Sequence, residues 1–406
     1  MSRRTLSVLA VLLLLMPGHS VHAQPASNAN GAQQVVSPEV GADRSVTFRL
    51  FAPNAKSVTL NGDFTLQGVP DTSMSKDTNS VWSRTLPPRE PGIYGYYFRV
   101  DGVRIIDPGN LYITSGAQYL KSFVAVEGSE PQFWSQRDVP HGEVHEVWYQ
   151  HPTLGQRRFL VYTPPGYDGT SSKTYPAVYL LHSATDNETF WTQIGRANFI
   201  MDNLIAGGKA KPALVVMSFG HLAVPPGPEG GTNASDPNDA IAIGRDITEQ
   251  IMPIVEKEYH AGKEAKDRAI FGFSMGGYQA VSIGMNHPGV FGYVAGSSAV
   301  FRPNMDLAGY LKGLNAELPK AKASIKFISL MVGSQESGSI PANKRVADYL
   351  TGLGLKTEMA TPNGGTHTWQ SWREYFRDLM ERKFFTDDPY SAPPVGPIAA
   401  STPATK

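Results

Sequence analysis

One hexapeptide constrains this chain more than any other feature. Gly272-Phe273-Ser274-Met275-Gly276-Gly277 lies between a predicted strand, Arg268–Phe273, and a predicted helix, Met275–Asn286. A serine at such a junction sits on a tight turn with its hydroxyl exposed above the sheet edge, because flanking glycines leave room for the neighbouring strand and helix. The pattern alone is weak, since 40 of the 406 residues are glycine. Its position between strand and helix favours a nucleophilic serine.

The segment 144–387 alternates apolar strands with helical stretches. This order predicts a mostly parallel sheet covered on both faces, and with the serine turn it predicts an α/β-hydrolase fold. The predicted strands are Val144–Tyr149, Arg158–Tyr162, Ala177–His182, Ala213–Met217, Arg268–Phe273, Val290–Gly296 and Ile325–Val332. The predicted helices are Trp191–Ala206, Asp239–Tyr259, Met275–Asn286, Ala342–Leu353 and Trp369–Phe384.

Residues 41–128 have a different pattern, with short alternating runs separated by turn signals such as Asn61-Gly62-Asp63 and Asp101-Gly102. This spacing predicts a small all-β, immunoglobulin-like sandwich, and residues 129–143 then form a linker. The sandwich carries four aromatic residues that are candidates for stacking on sugar rings. Alternation along a strand places at least half of them in the core. They are Trp82, Tyr94, Tyr96 and Tyr97.

The first 23 residues have the features of a secretory signal peptide. Arg3 and Arg4 precede the apolar run Leu6–Met16, and Val21-His22-Ala23 resembles a cleavage site. The apolar run is short for a bilayer span, so a membrane anchor is the weaker alternative, and the general secretory and twin-arginine routes both remain open. We expect a secreted or periplasmic protein that has no membrane contact after cleavage. Residues 24–40 are expected to form a flexible leader and 388–406 a disordered tail.

Composition excludes several function classes. The chain has no cysteine, which removes disulfides, cysteine nucleophiles and thiolate metal sites. Lysine plus arginine and aspartate plus glutamate both number 36, so no net positive charge indicates a nucleic-acid partner. Histidine and carboxylate spacings match no metal motif, and we expect no cofactor and no metal. Asp236-Pro237-Asn238-Asp239 is a weak calcium candidate, but capping of the following helix explains it better.

A nucleophilic serine needs a base, and in this fold the chain order is nucleophile, acid, histidine. Two histidines follow Ser274. His287 lies at the far end of the helix after the serine, whereas His367 lies in a glycine-rich loop before the last helix. The loop can reach the serine, so His367 is the predicted base.

The orienting acid is chosen from five carboxylates between the serine and the histidine: Asp306, Glu317, Glu336, Asp348 and Glu358. Glu336 directly follows an apolar strand, where ligand-facing groups belong in such sheets. Asp348 falls inside an amphipathic helix and is expected to be solvated. Glu336 is therefore the predicted acid, and a surface-loop glutamate is the alternative.

An oxyanion formed at the serine needs two backbone N–H donors. The sequence predicts one from Met275 and the other from the loop after the strand ending at His182, around Ser183 and Ala184. His182 precedes the serine in the chain, so we interpret it as a loop-orienting residue rather than the base.

Several of these segments resemble the esterase-D-like feruloyl esterases of carbohydrate esterase family one. The resemblance runs from about 145 to 385, and the β-domain resembles the early-set, glycogen-binding-like modules that precede such esterases. In the esterase region its motifs are Tyr179-Leu180-Leu181-His182, Glu188, Trp191, Arg196-Ala197-Asn198, Asp202-Asn203-Leu204-Ile205, Gly272–Gly277, Gly333–Glu336 and Gly364–Trp369. In the β-domain they are Phe51-Ala52-Pro53-Asn54-Ala55 and Val58–Phe64.

Two positions depart from the family pattern. Ser183 stands where the family has glycine, and Glu336 stands where it has aspartate. A longer acid can still orient a histidine if its backbone retreats. The resemblance implies an enzyme whose substrates are plant polysaccharide esters or small aryl esters, with Trp191, Phe273 and Trp369 expected to contact them.

The implied reaction is hydrolysis of hydroxycinnamoyl esters such as ferulate on cell-wall arabinoxylan. Acetyl xylan esterase and enterobactin-esterase-like siderophore hydrolase are the alternatives, and a catalytically dead carbohydrate-binding protein is the non-enzyme alternative. The predicted catalytic residues all follow residue 180. We therefore expect the sandwich to affect mainly polymeric substrates, unless it caps the mouth of the active site.

Overall fold

The computed structural model describes residues 35–64, 72–117, 120–222 and 237–398. The predicted signal peptide, residues 1–23, lies outside these residues, and so do Asp236 and the side chains of Pro237 and Asn238 from the calcium candidate at 236–239. Among the described residues, no helix is long and apolar enough to cross a membrane.

The N-terminal part is a sandwich of two antiparallel sheets, in the strand orders β1-β2-β5-β4 and β3-β6-β9-β8, with β7 beside β6. Residues that alternate between buried and half-exposed along β2 show the period of two expected for a sheet with one packed face. The strands are β1 Glu39–Val40, β2 Val46–Phe51, β3 Val58–Gly62, β4 Ser75–Lys76, β5 Val81–Leu86, β6 Gly92–Val100, β7 Val103–Ile105, β8 Ile113–Ser115 and β9 Leu120–Val126.

The C-terminal part is built on an eight-stranded sheet in the order β10-β11-β13-β12-β14-β15-β16-β17. The first two strands are antiparallel and the remaining six are mutually parallel. The strands are β10 Glu143–His151, β11 Gly155–Thr163, β12 Ala177–Leu181, β13 Leu214–Ser218, β14 Arg268–Phe273, β15 Tyr293–Ser297, β16 Phe327–Met331 and β17 Glu358–Ala360. Every residue of β12, β13, β15 and β16 is buried, as two covered faces require.

Helices cover both faces of this sheet, and an apolar cluster fills each side. They are α1 Phe190–Gln193, α2 Ala197–Ala206, α3 Pro237–Arg245, α4 Met252–Glu258, α5 Met275–Asn286, α6 Leu307–Tyr310, α7 Lys312–Ala316, α8 Leu318–Ser324, α9 Ile340–Gly352 and α10 Trp369–Asp378. Short π-helical segments follow α3 (Asp246–Ile251) and α10 (Leu379–Lys383), and a 3₁₀ turn spans Ala265–Asp267. The predicted fold class is confirmed.

Some predicted boundaries are wrong. The helix expected over Trp191–Ala206 is two helices, because Arg196 has a left-handed backbone with φ 56°. Residues 35–40, which were expected to belong to a flexible leader, are instead packed on the sandwich, since Glu39–Val40 pairs with β2 and Ser37 is buried. Residues 388–398, which were expected to belong to a disordered tail, pack on the esterase part: the N–H of Ile398 donates to the carbonyl of Asn363, and its side chain is buried. The leader and the tail were predicted from composition, which carries no information about these tertiary contacts.

The sandwich and the esterase part share an apolar contact. Ile93 and Phe123, on the outer face of the β6–β9 sheet, belong to the same buried cluster as Phe190 and Trp191. The rings of Phe123 and Phe190 lie 6.3 Å apart. Polar bonds flank this contact, including one from the N–H of Ala117 to the carbonyl of Thr185 at 3.0 Å. Because the core is shared, we expect the two parts to unfold together.

This shared core makes Phe123 a test of cooperativity between the two parts. Phe123→Ala should lower the free energy of unfolding by about 3 kcal/mol and split a single calorimetric transition into two, because the shared cluster loses a buried ring. Val103→Ala is the control, since that side chain lies on β7 and is largely exposed. One unsplit transition at the wild-type Tm for Phe123→Ala would show that the interface contributes little.

Candidate active site

Ser274 stands between β14 and α5 with φ 56° and ψ −120°, a conformation that L-residues rarely adopt. Two glycines allow the turn. A Cβ on Gly272 would lie 2.3 Å from the carbonyl oxygen of Gly276, and a Cβ on Gly276 would lie 2.6 Å from the carbonyl oxygen of His182. The N–H of Ser274 donates to Ser297 at 2.9 Å, which fixes the turn against β15. The hydroxyl therefore stands at the carboxyl edge of the sheet.

The three predicted catalytic side chains form a continuous chain of hydrogen bonds. Nε2 of His367 lies 3.1 Å from Oγ of Ser274, and Nδ1 of His367 lies 2.7 Å from Oε2 of Glu336. The carboxylate fixes the proton on Nδ1, so Nε2 is free to accept the serine proton. The Glu336 side chain is buried, whereas the imidazole is 42% exposed and accessible to substrate.

Glu336 is itself held in place by groups that the sequence did not indicate. Its Oε1 accepts a hydrogen bond from the hydroxyl of Ser298 at 2.8 Å and another from the N–H of Gly333 at 3.1 Å. The indole N–H of Trp372 in turn donates to the Ser298 hydroxyl at 3.2 Å. Ser298 follows β15 in the left-handed region, with φ 48°. A serine just after a strand carries no distinguishing signal, so only the fold reveals this support.

The other four candidate acids lie elsewhere. Asp306 caps α6, and Glu317 and Asp348 form exposed ion pairs within helices with Lys320 and Lys344. Glu358 lies on the edge strand β17, three strands from β14, and pairs with the buried Lys383. Each is therefore engaged away from His367.

The loop after β12 is held by the buried imidazole of His182. The N–H of Gly220 donates to Nε2 at 2.9 Å, so the proton is on Nδ1, which donates to the carbonyl of Ser183 at 2.8 Å. In a trans peptide this carbonyl and the N–H of Ala184 point in opposite directions, so His182 fixes the direction of that N–H. Ser183 lines the cleft beside His367. We propose that the N–H groups of Ala184 and Met275 form the oxyanion hole.

The segment 219–221 after β13 supports this loop and is pinned by side chains from two further elements. Gln279 of α5 donates to the carbonyl of Gly220 at 2.9 Å. Arg157 of β11 donates to the carbonyls of Phe219 and His221 at 2.8 and 3.0 Å, and its Nε donates to Asp246 at 3.0 Å.

Both buried histidines of this region are neutral. Burial lowers the pKa of His182 to about 3, with the neighbouring His221 as a further cause. Burial also lowers the pKa of His221 to about 4, although a hydrogen bond to the backbone of Asp186 opposes that shift. An uncharged His182 keeps the acceptor that Gly220 needs.

A cleft of about 340 Å³ opens beside His367, and the sandwich forms one of its walls. The esterase side contributes Ser183, Thr185, Asp186, His367, Thr368, Trp369 and Trp372. The sandwich side contributes Asn61, Gly62, Asp63, Gly95, Tyr97 and Lys121. Burial raises the pKa of Asp186 to about 6, against an opposing effect of Lys121. A larger cavity of about 790 Å³ on the other side of the Phe123 contact contains no triad residue.

The three residues expected to contact substrate differ in position. Trp369 lines the cleft, although it is largely buried. Trp191 and Phe273 have no exposed surface, so their direct contact with substrate is contradicted. They pack under the cleft: Phe273 stacks on Trp372 at 3.8 Å, and Trp191 contacts Trp369 edge to face at 5.2 Å. The sequence pattern could not distinguish an aromatic residue that lines the cleft from one that is buried beneath it.

The four aromatic residues of the sandwich also divide into buried residues and one that lines the cleft. Trp82, Tyr94 and Tyr96 are buried in the sandwich, whereas Tyr97 lines the cleft. The guanidinium of Arg104 lies 3.4 Å from the Tyr97 ring centre and covers one of its faces. Within the described residues, no cluster of histidines or carboxylates is arranged to hold a metal ion.

Comparison with known proteins agrees with this geometry. Residues 152–382 match the family described as "Putative esterase", and residues 34–113 match carbohydrate-binding module 48, the isoamylase N-terminal domain. The fold and site are those of a carboxylic ester hydrolase. The chain belongs to this esterase family, and the class and the N-terminal module predicted from the sequence are confirmed.

Among curated proteins, the chain is 30% identical over 356 residues to an endo-1,4-beta-xylanase/feruloyl esterase of Xylanibacter ruminicola. The match covers 86% of this chain and 46% of the relative. An uncharacterised protein of Corynebacterium glutamicum is 23% identical over 61% of this chain and 65% of its own length. The chain thus spans about half to two thirds of the curated relatives it matches.

Two solved structures illustrate the fold. The enterobactin esterase of Shigella flexneri, in the presence of enterobactin, has a TM-score of 0.59 at 20% identity, covering 82% of this chain and 92% of that one. A CE1 ferulic acid esterase of Anaeromyces mucronatus has a TM-score of 0.51 at 22% identity, covering 63% and 96%. At these identities the likeness shows the fold alone.

The acid position can be tested with a matched pair of carboxylates. Glu336→Gln should lower kcat by about three to four orders of magnitude with little change in KM, because an amide favours the wrong tautomer of His367. Asp348→Asn is the control, since that carboxylate is exposed and paired with Lys344. Steady-state kinetics on an aryl ester measures both; small and equal losses would mean that another group orients His367.

The neutral histidines predict acid sensitivity of folding. Their folded pKa values lie below the unfolded value near 6.5, so the unfolded state binds protons first and the contribution of these two histidines to stability falls as pH drops below 6.5. The raised pKa of Asp186 acts in the opposite direction, so the assignment rests on the difference between the wild type and a histidine variant. Between pH 6.5 and pH 5 each histidine should cost about 2 kcal/mol. Denaturant unfolding across this range measures the loss, and His221→Phe should reduce it. A variant with the wild-type pH dependence would contradict the assignment to His221.

Proposed function

We propose that this chain is a serine esterase that hydrolyses hydroxycinnamoyl esters, ferulate above all, on plant cell-wall arabinoxylan. The observation that carries the proposal is the hydrogen-bond chain from Ser274 through His367 to Glu336, of which His367 lines an open cleft. The xylanase/feruloyl esterase relative supports the substrate class, and solved feruloyl esterase structures are described with ferulic acid or sinapinate bound.

The proposed mechanism assigns a role to each residue of this hydrogen-bond chain. His367 takes the proton of Ser274 as Oγ attacks the ester carbonyl, and the resulting oxyanion accepts hydrogen bonds from the N–H groups of Met275 and Ala184. The imidazolium then protonates the departing sugar oxygen, which leaves a feruloyl ester on Ser274. Water, deprotonated by His367, attacks this acyl-enzyme; ferulic acid leaves, and the proton returns to the serine. Glu336 stabilises the imidazolium in both halves.

The sandwich residues that line the cleft give the proposed enzyme a physical reason to prefer polymeric substrates. Tyr97 and Lys121 line the same cleft as His367, so a glycan that occupies this cleft would contact both parts of the chain. Asp63, whose Oδ2 accepts a hydrogen bond from Gly95 at 2.8 Å, adds a fixed carboxylate to the same wall. This arrangement favours the alternative in which the module caps the active-site mouth, and removing it would then affect small esters as well.

Siderophore hydrolysis is the second candidate, because the enterobactin esterase neighbour matches 82% of this chain, and thus both of its parts. Acetyl xylan esterase activity uses the same chemistry on a smaller acyl group. The non-enzyme alternative, a carbohydrate-binding protein, is disfavoured, because binding alone does not need the hydrogen bonds that join Ser274, His367 and Glu336. Secretion or a periplasmic location remains the proposal from residues 1–23, which lie outside the described part of the chain.

A panel of three substrates tests the proposed function. The purified protein should hydrolyse methyl ferulate with a kcat/KM at least tenfold above its values on acetylated xylan and on a catecholate siderophore. Ser274→Ala should lower turnover of methyl ferulate by several orders of magnitude while folding normally, since the triad acts as a unit. A wild-type preference for the siderophore would select the second candidate, and an active Ser274→Ala variant would remove the serine mechanism.

A further inference from the structure

Trp148 is an unusual surface residue of the esterase part. It lies on β10, and its side chain is 52% exposed. Among the described residues of this part, the large hydrophobic side chains that are exposed are Val144 and Trp148, both on β10. Single exposed apolar side chains are common on protein surfaces, so the surroundings of this ring decide whether it can serve as a contact.

The Trp148 ring is fixed by neighbouring polar groups. Its indole N–H donates to Oε1 of Glu146 at 2.6 Å, and the guanidinium of Arg158 lies 5.4 Å from the ring centre. Arg158 also donates to Oε2 of Glu146 at 3.0 Å. A ring held in this way loses little conformational entropy when a ligand stacks on it.

The strand register places Trp148 at the catalytic edge of the sheet. Trp148 pairs with Arg158 on β11, and the next residue of β11, Phe159, pairs with Ser218, the last residue of β13. Since β13 and β14 run in parallel with β12 between them, Trp148 lies level with the carboxyl ends from which Ser274 emerges. It faces the side of the sheet that carries Leu160 and Tyr162, which is also the side of the sandwich.

The distance to the nucleophile fits an extended ligand. Four strand spacings separate β10 from β14, which is about 19 Å at the usual spacing between strands. This span corresponds to several sugar rings. The two places are also connected, because Arg158 forms an ion pair with the buried Glu188. Glu188 belongs to the loop after β12 that also carries the cleft residue Asp186.

We propose that Trp148 is a second glycan contact, a stacking platform for a sugar ring of the polysaccharide whose ester group lies at Ser274. The apolar face of a pyranose fits an amphipathic indole, and Glu146 and Arg158 supply hydrogen-bonding groups for its hydroxyls. The inference rests on the proposed function for its ligand class. The competing occupant of this place is a second copy of the chain paired along β10, whose outer edge has no partner strand in the described residues.

The test separates polymer binding from chemistry. Trp148→Ala should lower kcat/KM on feruloylated arabinoxylan about fivefold and leave methyl ferulate unchanged, because the ring contacts only the distant part of the chain. Trp148→Tyr should restore most of the loss. Val144→Ala, at the other end of the same strand, should match the wild type on both substrates. Equal losses on both substrates, or no loss on the polymer, would overturn the proposal.

Binding measured without turnover keeps this test independent of the proposed reaction. In a Ser274→Ala background, affinity electrophoresis in soluble arabinoxylan should show retardation that Trp148→Ala reduces and Val144→Ala does not. If retardation persists while no feruloyl hydrolysis is found in the wild type, the glycan contact stands and the proposed reaction fails. If Trp148→Ala instead converts a dimer to a monomer in sedimentation and leaves retardation unchanged, the occupant is a second copy and the proposal is wrong.

Discussion

The strained turn at Ser274 is the constraint on which the rest of the site depends. A left-handed serine costs of the order of 1–3 kcal/mol, and the structure retains it because β12, β15 and α5 surround it closely. The same closeness requires glycine at positions 272 and 276, where a methyl group would collide with backbone. The turn brings the hydroxyl above the sheet and the Met275 N–H to the start of α5, so one local conformation positions both the proposed nucleophile and a proposed oxyanion donor.

Around this turn the polar groups are arranged in two separate supports. One orients the base: Ser298 and Gly333 hold Glu336, which holds His367. The other orients the loop after β12: the segment at Gly220 holds His182, which holds the Ser183 carbonyl. In both supports buried hydrogen bonds fix the orientation of an imidazole, and such bonds are stronger in a protein interior than in water.

The sandwich is more than an appended module in this architecture. Its outer sheet face packs through Phe123 against Phe190, and the same face continues into the cleft as Tyr97 and Lys121. Alternation along β6 explains how one strand does both, because Ile93, Gly95 and Tyr97 all point to that side. The apolar packing of Phe123 therefore fixes the position of Tyr97 and Lys121 in the wall of the cleft.

The sequence by itself determined the class of fold and the serine turn, and it selected the three side chains that the fold joins by hydrogen bonds, Ser274, His367 and Glu336. These depend on local patterns: strand–glycine–serine–helix order, a histidine in a late loop, and a carboxylate directly after a strand. Only the tertiary structure decided what each aromatic and polar side chain faces. Trp191 and Phe273 carry family motifs yet are buried, while Ser298, Gln279 and Arg157 carry no motif yet hold the site together. The physical reason is that these side chains find their hydrogen-bond partners in distant segments, 38 residues away for His182 and Ser298 and 64 residues away for Arg157. Sheet order and domain packing bring such segments together, and the residues next to each position in the sequence do not reveal it.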